Sequence, residues 1–159
     1  MELIQSVLLV ITTIMSGIAL ALSISSHNRG ITKTYLDFLK ECDSEEQRHY
    51  RQTVYQCISD GVKIEDLPAR DSREIDVANI VSFYNKWATL YYKGFLPKWT
   101  FEDSEGQTLA KMYYILKKYI KNRREEIIDV DGKKINNDKY GDQFEKLAIE
   151  TCPEDDKTK

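Results

Sequence analysis

The chain has 159 residues, of which 31% are charged, and a formal net charge of −3. That length holds one small domain of ordinary size with little to spare. The charge balance excludes a globally basic nucleic-acid binder, so an anionic ligand would have to be met by a local patch. Three cysteines, Cys42, Cys57 and Cys152, are too widely spaced for a zinc site and too odd in number for a disulfide framework. Cys42 and Cys57 sit among apolar residues and read as small buried hydrophobes, and reduced thiols suit the cytosol.

The first element is the uncharged run from Leu3 to Ser26, which contains "SVLLVITTIMSGIALALSIS". Its length exceeds the roughly 20 residues that cross a bilayer core of about 30 Å, so the expectation is a transmembrane helix over 1–27. A cleaved signal is disfavoured, because Met1-Glu2 lacks a basic n-region and the run is too long. Arg29, Lys33 and Lys40 follow it, so the positive-inside rule places the N-terminus outside and the rest in the cytoplasm, at the inner membrane. Within the run Thr13, Gly17, Ala21 and Ser25 recur every four residues. Such a ridge of small side chains lets helix backbones approach closely and points to a symmetric homo-oligomer in contact with the lipid bilayer.

Residues 28–150 read as an all-α domain of about five helices, followed by a disordered tail over 151–159. Ile31, Tyr35, Leu36, Leu39 and Cys42 repeat at helical spacing, and Asn28 with Gly30 is expected to punctuate the join to the membrane helix. Ser44-x-x-Gln47 forms a capping box before a second helix that places Tyr50, Val54, Cys57 and Ile58 on one face and ends at Gly61. A long helix runs from about Asp71 to Lys93, with Ile75, Ala78, Val81, Tyr84, Trp87, Ala88 and Tyr91 inward, and stops at Gly94. Phe95-Leu96-Pro97 and Trp99 make an apolar elbow. The next helix covers about Glu105 to Ile127, with Leu109, Met112, Tyr113, Leu116, Tyr119 and Ile120 inward. Asp131-Gly132 is a tight turn that suits a short hairpin near 128–135. Tyr140, Phe144, Leu147 and Ala148 mark the last helix.

Catalytic chemistry is thinly represented. Glu45 and His49 stand at i, i+4 and could share a metal, but a third ligand is missing and a solvated face explains them better. No Ser-His-Asp or Cys-His set assembles, no Gly-rich phosphate loop is present, and Asp131 with Lys133 supplies only half of a metal-nuclease pattern. The expectation is no enzyme, no metal and no cofactor.

Binding features are richer. "KKYIKNRR" brings Lys117, Lys118, Lys121, Arg123 and Arg124 together among Tyr113, Tyr114 and Tyr119, a pairing suited to phosphates and to stacked bases. Basic residues also collect at helix C-termini, where they complement the dipole. On the long helix Asn79, Ser82, Lys86, Thr89 and Lys93 form a polar stripe that no acid interrupts, although the chain holds more acids than bases. The candidate ligand residues are therefore Asn79, Ser82, Lys86, Thr89, Lys93, Lys117, Lys121 and Arg124, and repeated copies of the stripe would surround an anion on an oligomer axis.

Residues 78–124, "ANIVSFYNKWATLYYKGFLPKWTFEDSEGQTLAKMYYILKKYIKNRR", resemble an uncharacterised bacterial helical domain that often follows one N-terminal membrane helix. Phe83-Tyr84-x-x-Trp87, the Lys93-Gly94 stop and Arg123-Arg124 carry the likeness. In size and layout the chain also resembles small membrane effectors that accompany type III CRISPR systems. That resemblance implies an antiviral defence protein that binds a cyclic oligoadenylate, such as cyclic tetra-adenylate, and perturbs the membrane. The alternative is a membrane-tethered scaffold with no small-molecule ligand. Duplex nucleic acid is not an expected partner under either reading.

Overall fold

The computed structural model describes the backbone of residues 2–130 and 133–152, and the side-chain surroundings of residues 14–126 and 137–152. Five helices appear in chain order: α1 (Glu2–Cys42), α2 (Glu45–Ser59), α3 (Ser72–Tyr92), α4 (Ser104–Glu125) and α5 (Asp142–Thr151). A two-stranded antiparallel hairpin, β1 (Ile127–Val130) and β2 (Lys133–Asn136), joins α4 to α5, with Ile128 opposite Ile135. The hairpin lies where it was expected, while its turn at Asp131-Gly132 is outside the described residues, as is most of the tail.

Local chemistry sets the helix boundaries. Ser44 accepts from the Gln47 amide at 3.2 Å and opens α2. Asp71 accepts from the Arg73 amide at 2.9 Å and opens α3, satisfying donors that lack an intrahelical partner. Both helices end in Schellman motifs. Gly61 at φ 68° and Gly94 at φ 75° take the left-handed position, and the amides of Val62 and Phe95 return to the carbonyls of Cys57 and Leu90. Two 3₁₀ turns, Ile64–Asp66 and Lys98–Phe101, carry the connections before α3 and α4.

The core lies where α2 packs on α3, and where α5 packs against both α3 and α4. Val77, Ile80, Val81 and Tyr84 of α3 meet Leu109, Met112, Tyr113 and Leu116 of α4 in one buried cluster with Phe144 and Leu147 of α5. The inward set of α4 is the expected one throughout. On α3 the buried face also includes Val77, Ile80 and Phe83, whereas Ile75 is exposed. Ile58, expected on the apolar face of α2, is exposed, as are Leu36 of the apolar repeat on α1 and Trp99 of the elbow.

Helix α1 differs most from expectation. It runs unbroken from Glu2 to Cys42, with no interruption at Asn28 or Gly30. The Thr32 and Thr34 hydroxyls donate to the carbonyls of Asn28 and Gly30, each at 3.0 Å, which occupies acceptors one turn back without ending the helix. The boundary between a segment 1–27 and a domain from residue 28 therefore falls inside one continuous helix. Among the described residues no helix is long and apolar enough to cross a membrane. The described stretch of α1 is apolar from Ile14 to Ile24. It continues directly into Ser25, Ser26, His27, Asn28 and Arg29. The transmembrane assignment of 1–27 is thus corrected, and with it the single-pass inner-membrane placement with the N-terminus outside.

The attachment of α1 to the rest of the molecule is local. Phe38, 1% exposed, inserts among Trp87, Phe101 and Phe83 at ring-centroid distances of 5.2, 5.4 and 6.5 Å. Tyr35 leans edge-on against Trp99 at 4.7 Å. Toward the N-terminus the described side chains from Ile14 to Arg29 are all exposed.

Candidate functional site

The basic–aromatic segment of α4 turns Arg123 and Arg124 inward, while Lys117, Lys118 and Lys121 are exposed. Arg123 meets the Glu74 carboxylate, which is 8% exposed, and donates through Nη1 to Glu126 at 2.7 Å. The Tyr119 hydroxyl donates to the same Glu74 oxygen at 2.7 Å, and its ring lies 5.2 Å beneath the Arg123 guanidinium. Burial pushes the Tyr119 hydroxyl well above its ordinary range, aided by the carboxylate it faces. Arg124 donates through Nη1 to Glu145 at 2.6 Å and through Nε to the Tyr140 carbonyl at 2.8 Å. Burial would raise the Glu145 carboxyl, but donation from Tyr113 and Arg124 outweighs it and holds the group below its ordinary value. Lys118 donates to Glu65 at 2.7 Å, and that bond lowers the Glu65 carboxyl.

The polar stripe of α3 is similarly engaged. Lys86 reaches both oxygens of Glu41 on α1, at 2.6 and 2.5 Å, and lies 4.6 Å over the Trp87 ring. Thr89 donates to the Asn85 carbonyl at 2.7 Å. Lys93 is the exposed C-cap of α3, Ser82 is exposed and Asn79 is half-buried. Lys117 and Lys121 are exposed on α4. The two expected groups of ligand residues face different neighbours, since Lys86 meets α1 while Arg124 meets α5. The stripe contains no acid of its own, but the tertiary fold supplies one from α1.

The small residues of α1 lie in the open. A Cβ added at Gly17 would meet nothing within 4 Å, and Ala21 and Ser25 are exposed. Around them stand Ile14, Met15, Ile18, Leu20, Leu22 and Ile24, between 50% and 66% exposed, spread over all of the helix circumference except the sector of Ser16, Ala19 and Ser23. The side chain of Thr13 is outside the described residues.

Sequence reasoning missed a cleft of about 310 Å³ at the junction of α1, α2, α3 and the first turn of α4. Arg51 forms one wall and donates through Nη2 to the Cys42 carbonyl at 2.9 Å, at the C-terminal end of α1. Phe38 and Tyr84 supply apolar lining, and Asp43 and Glu105 line the cleft as well. Burial pushes the Tyr84 hydroxyl up to about 12, and it pushes the Cys42 thiol up to about 12 as well. A thiol held protonated in this way is a poor nucleophile. The only advance signal for the cleft was Arg51 itself, a charged residue one position away from the expected apolar face of α2.

Other groups weighed for chemistry are also accounted for. Glu45 is exposed, and His49 lies 3.2 Å from Asp76, which also accepts from the Thr53 hydroxyl at 2.8 Å. Among the described residues no group of three His, Cys, Asp or Glu side chains is placed to hold a metal ion. Asp131 and Lys133 lie outside the residues whose side chains are described.

Comparison with curated proteins and with solved structures finds no match. The model of the family described as "Domain of unknown function (DUF4760)" matches residues 6–151, nearly the whole of the two parts described here, α1 and the helical head, so the chain belongs to that family.

Proposed function

We propose that this chain is a non-catalytic interaction module that self-associates through α1. The observation that carries the reading is the apolar shaft of α1. Leu20 and Leu22 are 64% and 66% exposed, and large apolar side chains cover most of the helix circumference from Ile14 to Ile24. An exposed apolar surface of this extent marks an association surface, and covering it with other helices stabilises it. Gly17, Ala21 and Ser25 offer a low ridge on the same shaft, along which a neighbouring backbone can come close.

The test is the mass of the full chain by sedimentation over a range of concentrations. Wild type is expected as a concentration-dependent oligomer, and Ile18→Asp with Leu22→Asp as a monomer with an intact helical head. A wild-type chain that stays monomeric throughout would overturn the proposal. Capture of an anionic signal has less support, because Lys86, Lys118, Arg123 and Arg124 already meet carboxylates within the chain. Titration with cyclic tri-, tetra- and hexa-adenylate tests that second reading directly.

A further inference from the structure

We infer that the cleft between α1, α2, α3 and the start of α4 binds a free amino acid with an apolar side chain. Arg51 is the one arginine that lines the cleft. The two other half-buried arginines, Arg123 and Arg124, each meet carboxylates. Arg51 is also half-buried, yet among the described residues it meets no carboxylate, only the Cys42 carbonyl and the Tyr84 hydroxyl. A guanidinium carries five N–H donors in a planar fork that matches a carboxylate in two-point fashion. Most of that capacity is left for a ligand on the cleft side.

Tyr84 strengthens the anionic end of the site. It is 4% exposed, lines the cleft and holds its hydroxyl beside the Arg51 guanidinium. The hydroxyl is kept protonated and is therefore a donor at neutral pH. A simple anion is nevertheless disfavoured, because Asp43 and Glu105 line the same cleft and repel it. A simple cation meets Arg51 with the same penalty. A molecule with a carboxylate at one end and an ammonium at the other satisfies both walls. Glu105 already accepts from the Ser104 hydroxyl at 2.9 Å, and an ionised carboxylate retains further acceptor sites for an ammonium.

Size and lining narrow the class. A volume of about 310 Å³ lies at the low end of ligand pockets, which run from about 300 to 1,000 Å³. It admits a single amino acid and is too small for a tetranucleotide ring. Phe38 and the Tyr84 ring face an apolar side chain, which is the reason to begin with leucine. The site stands on different residues from the α1 association surface, so either can hold without the other.

Isothermal titration of the full chain with L-leucine, 3-methylbutylamine and 4-methylpentanoate tests the inference. The second probe lacks the carboxylate of leucine and the third lacks its ammonium. L-Leucine is expected to saturate at or below about 1 mM, with each truncated probe at least about tenfold weaker. Arg51→Lys is expected to weaken leucine about tenfold, since a lysine loses the planar fork. Arg51 also holds the end of α1, so Glu105→Gln serves as the second variant, expected to weaken leucine and to strengthen 4-methylpentanoate, whose carboxylate it no longer repels. Absence of saturable leucine binding, equal binding of 4-methylpentanoate, or an unchanged leucine affinity in Glu105→Gln would each overturn the inference.

Discussion

Glu74 sits near the middle of a small domain and is almost wholly withdrawn from water, a position where an unpaired carboxylate is expensive. Tyr119 and Arg123 satisfy it from α4. Removing one partner of such a pair leaves the other charge buried, which costs about 3–5 kcal/mol, whereas replacing both partners together costs far less. Arg123→Met is therefore expected to lower the stability of the head by about that amount in urea unfolding. Glu74→Gln combined with Arg123→Met should recover a large part of it. The sequence showed Arg123 only as one of several cations beside tyrosines. Its partner lies 49 positions earlier, and nothing local in the chain announces that distance.

Among the elements, α5 depends most on its neighbours. Its own N-cap is Gly141, which has no side chain to accept from the first turn. Asn85 on α3 supplies the missing acceptor, with its Oδ1 taking the amides of Gln143 at 3.0 Å and Phe144 at 3.2 Å. A cap of this kind is worth about 1 kcal/mol, so Asn85→Ala is expected to lower the urea midpoint by that free energy, and Asn85→Asp to retain most of it. The caps of α2 and α3 were legible from Ser44-x-x-Gln47, Asp71, Gly61 and Gly94, because donor and acceptor stand within a few residues. The cap of α5 was not legible, since Asn85 reads in isolation as one polar position on a stripe.

For the molecule as a whole, two features govern behaviour in solution: the exposed shaft of α1 and the carboxylates paired within the head. Glu65, Asp71 and Glu145 all lie below their ordinary values. A carboxyl whose folded value is depressed contributes stability above its unfolded value. That contribution is lost as pH falls through the lower folded value. The head is therefore expected to hold its stability from neutral pH down to about pH 4.5, the ordinary glutamate value, and to lose it progressively below. Glu145→Gln should be less stable than wild type at pH 7 and show a shallower acid limb, read as the urea midpoint against pH. On the same scale, a Cβ added at Gly17 meets nothing within 4 Å among the described residues, so a change in mass caused by Gly17→Leu reports on contacts between copies.

Taken by itself, the sequence determined the helical class, the main caps and the buried face of α4, because all three follow from spacings of two to four residues. It also marked the hairpin through Asp131-Gly132. The tertiary structure alone decided three other matters. It carried α1 straight through Asn28 and Gly30, since a glycine inside a helix costs only about 1 kcal/mol and flanking turns absorb it. It drew Lys86, Lys118, Arg123 and Arg124 onto carboxylates from other elements, so an apparent cationic surface became internal ion pairing. It also assembled the cleft around Arg51 from four elements whose residues are up to about seventy positions apart in the chain. Charge pairing and cavities depend on which faces meet, and hydrophobic period cannot say which partner a helix face will find.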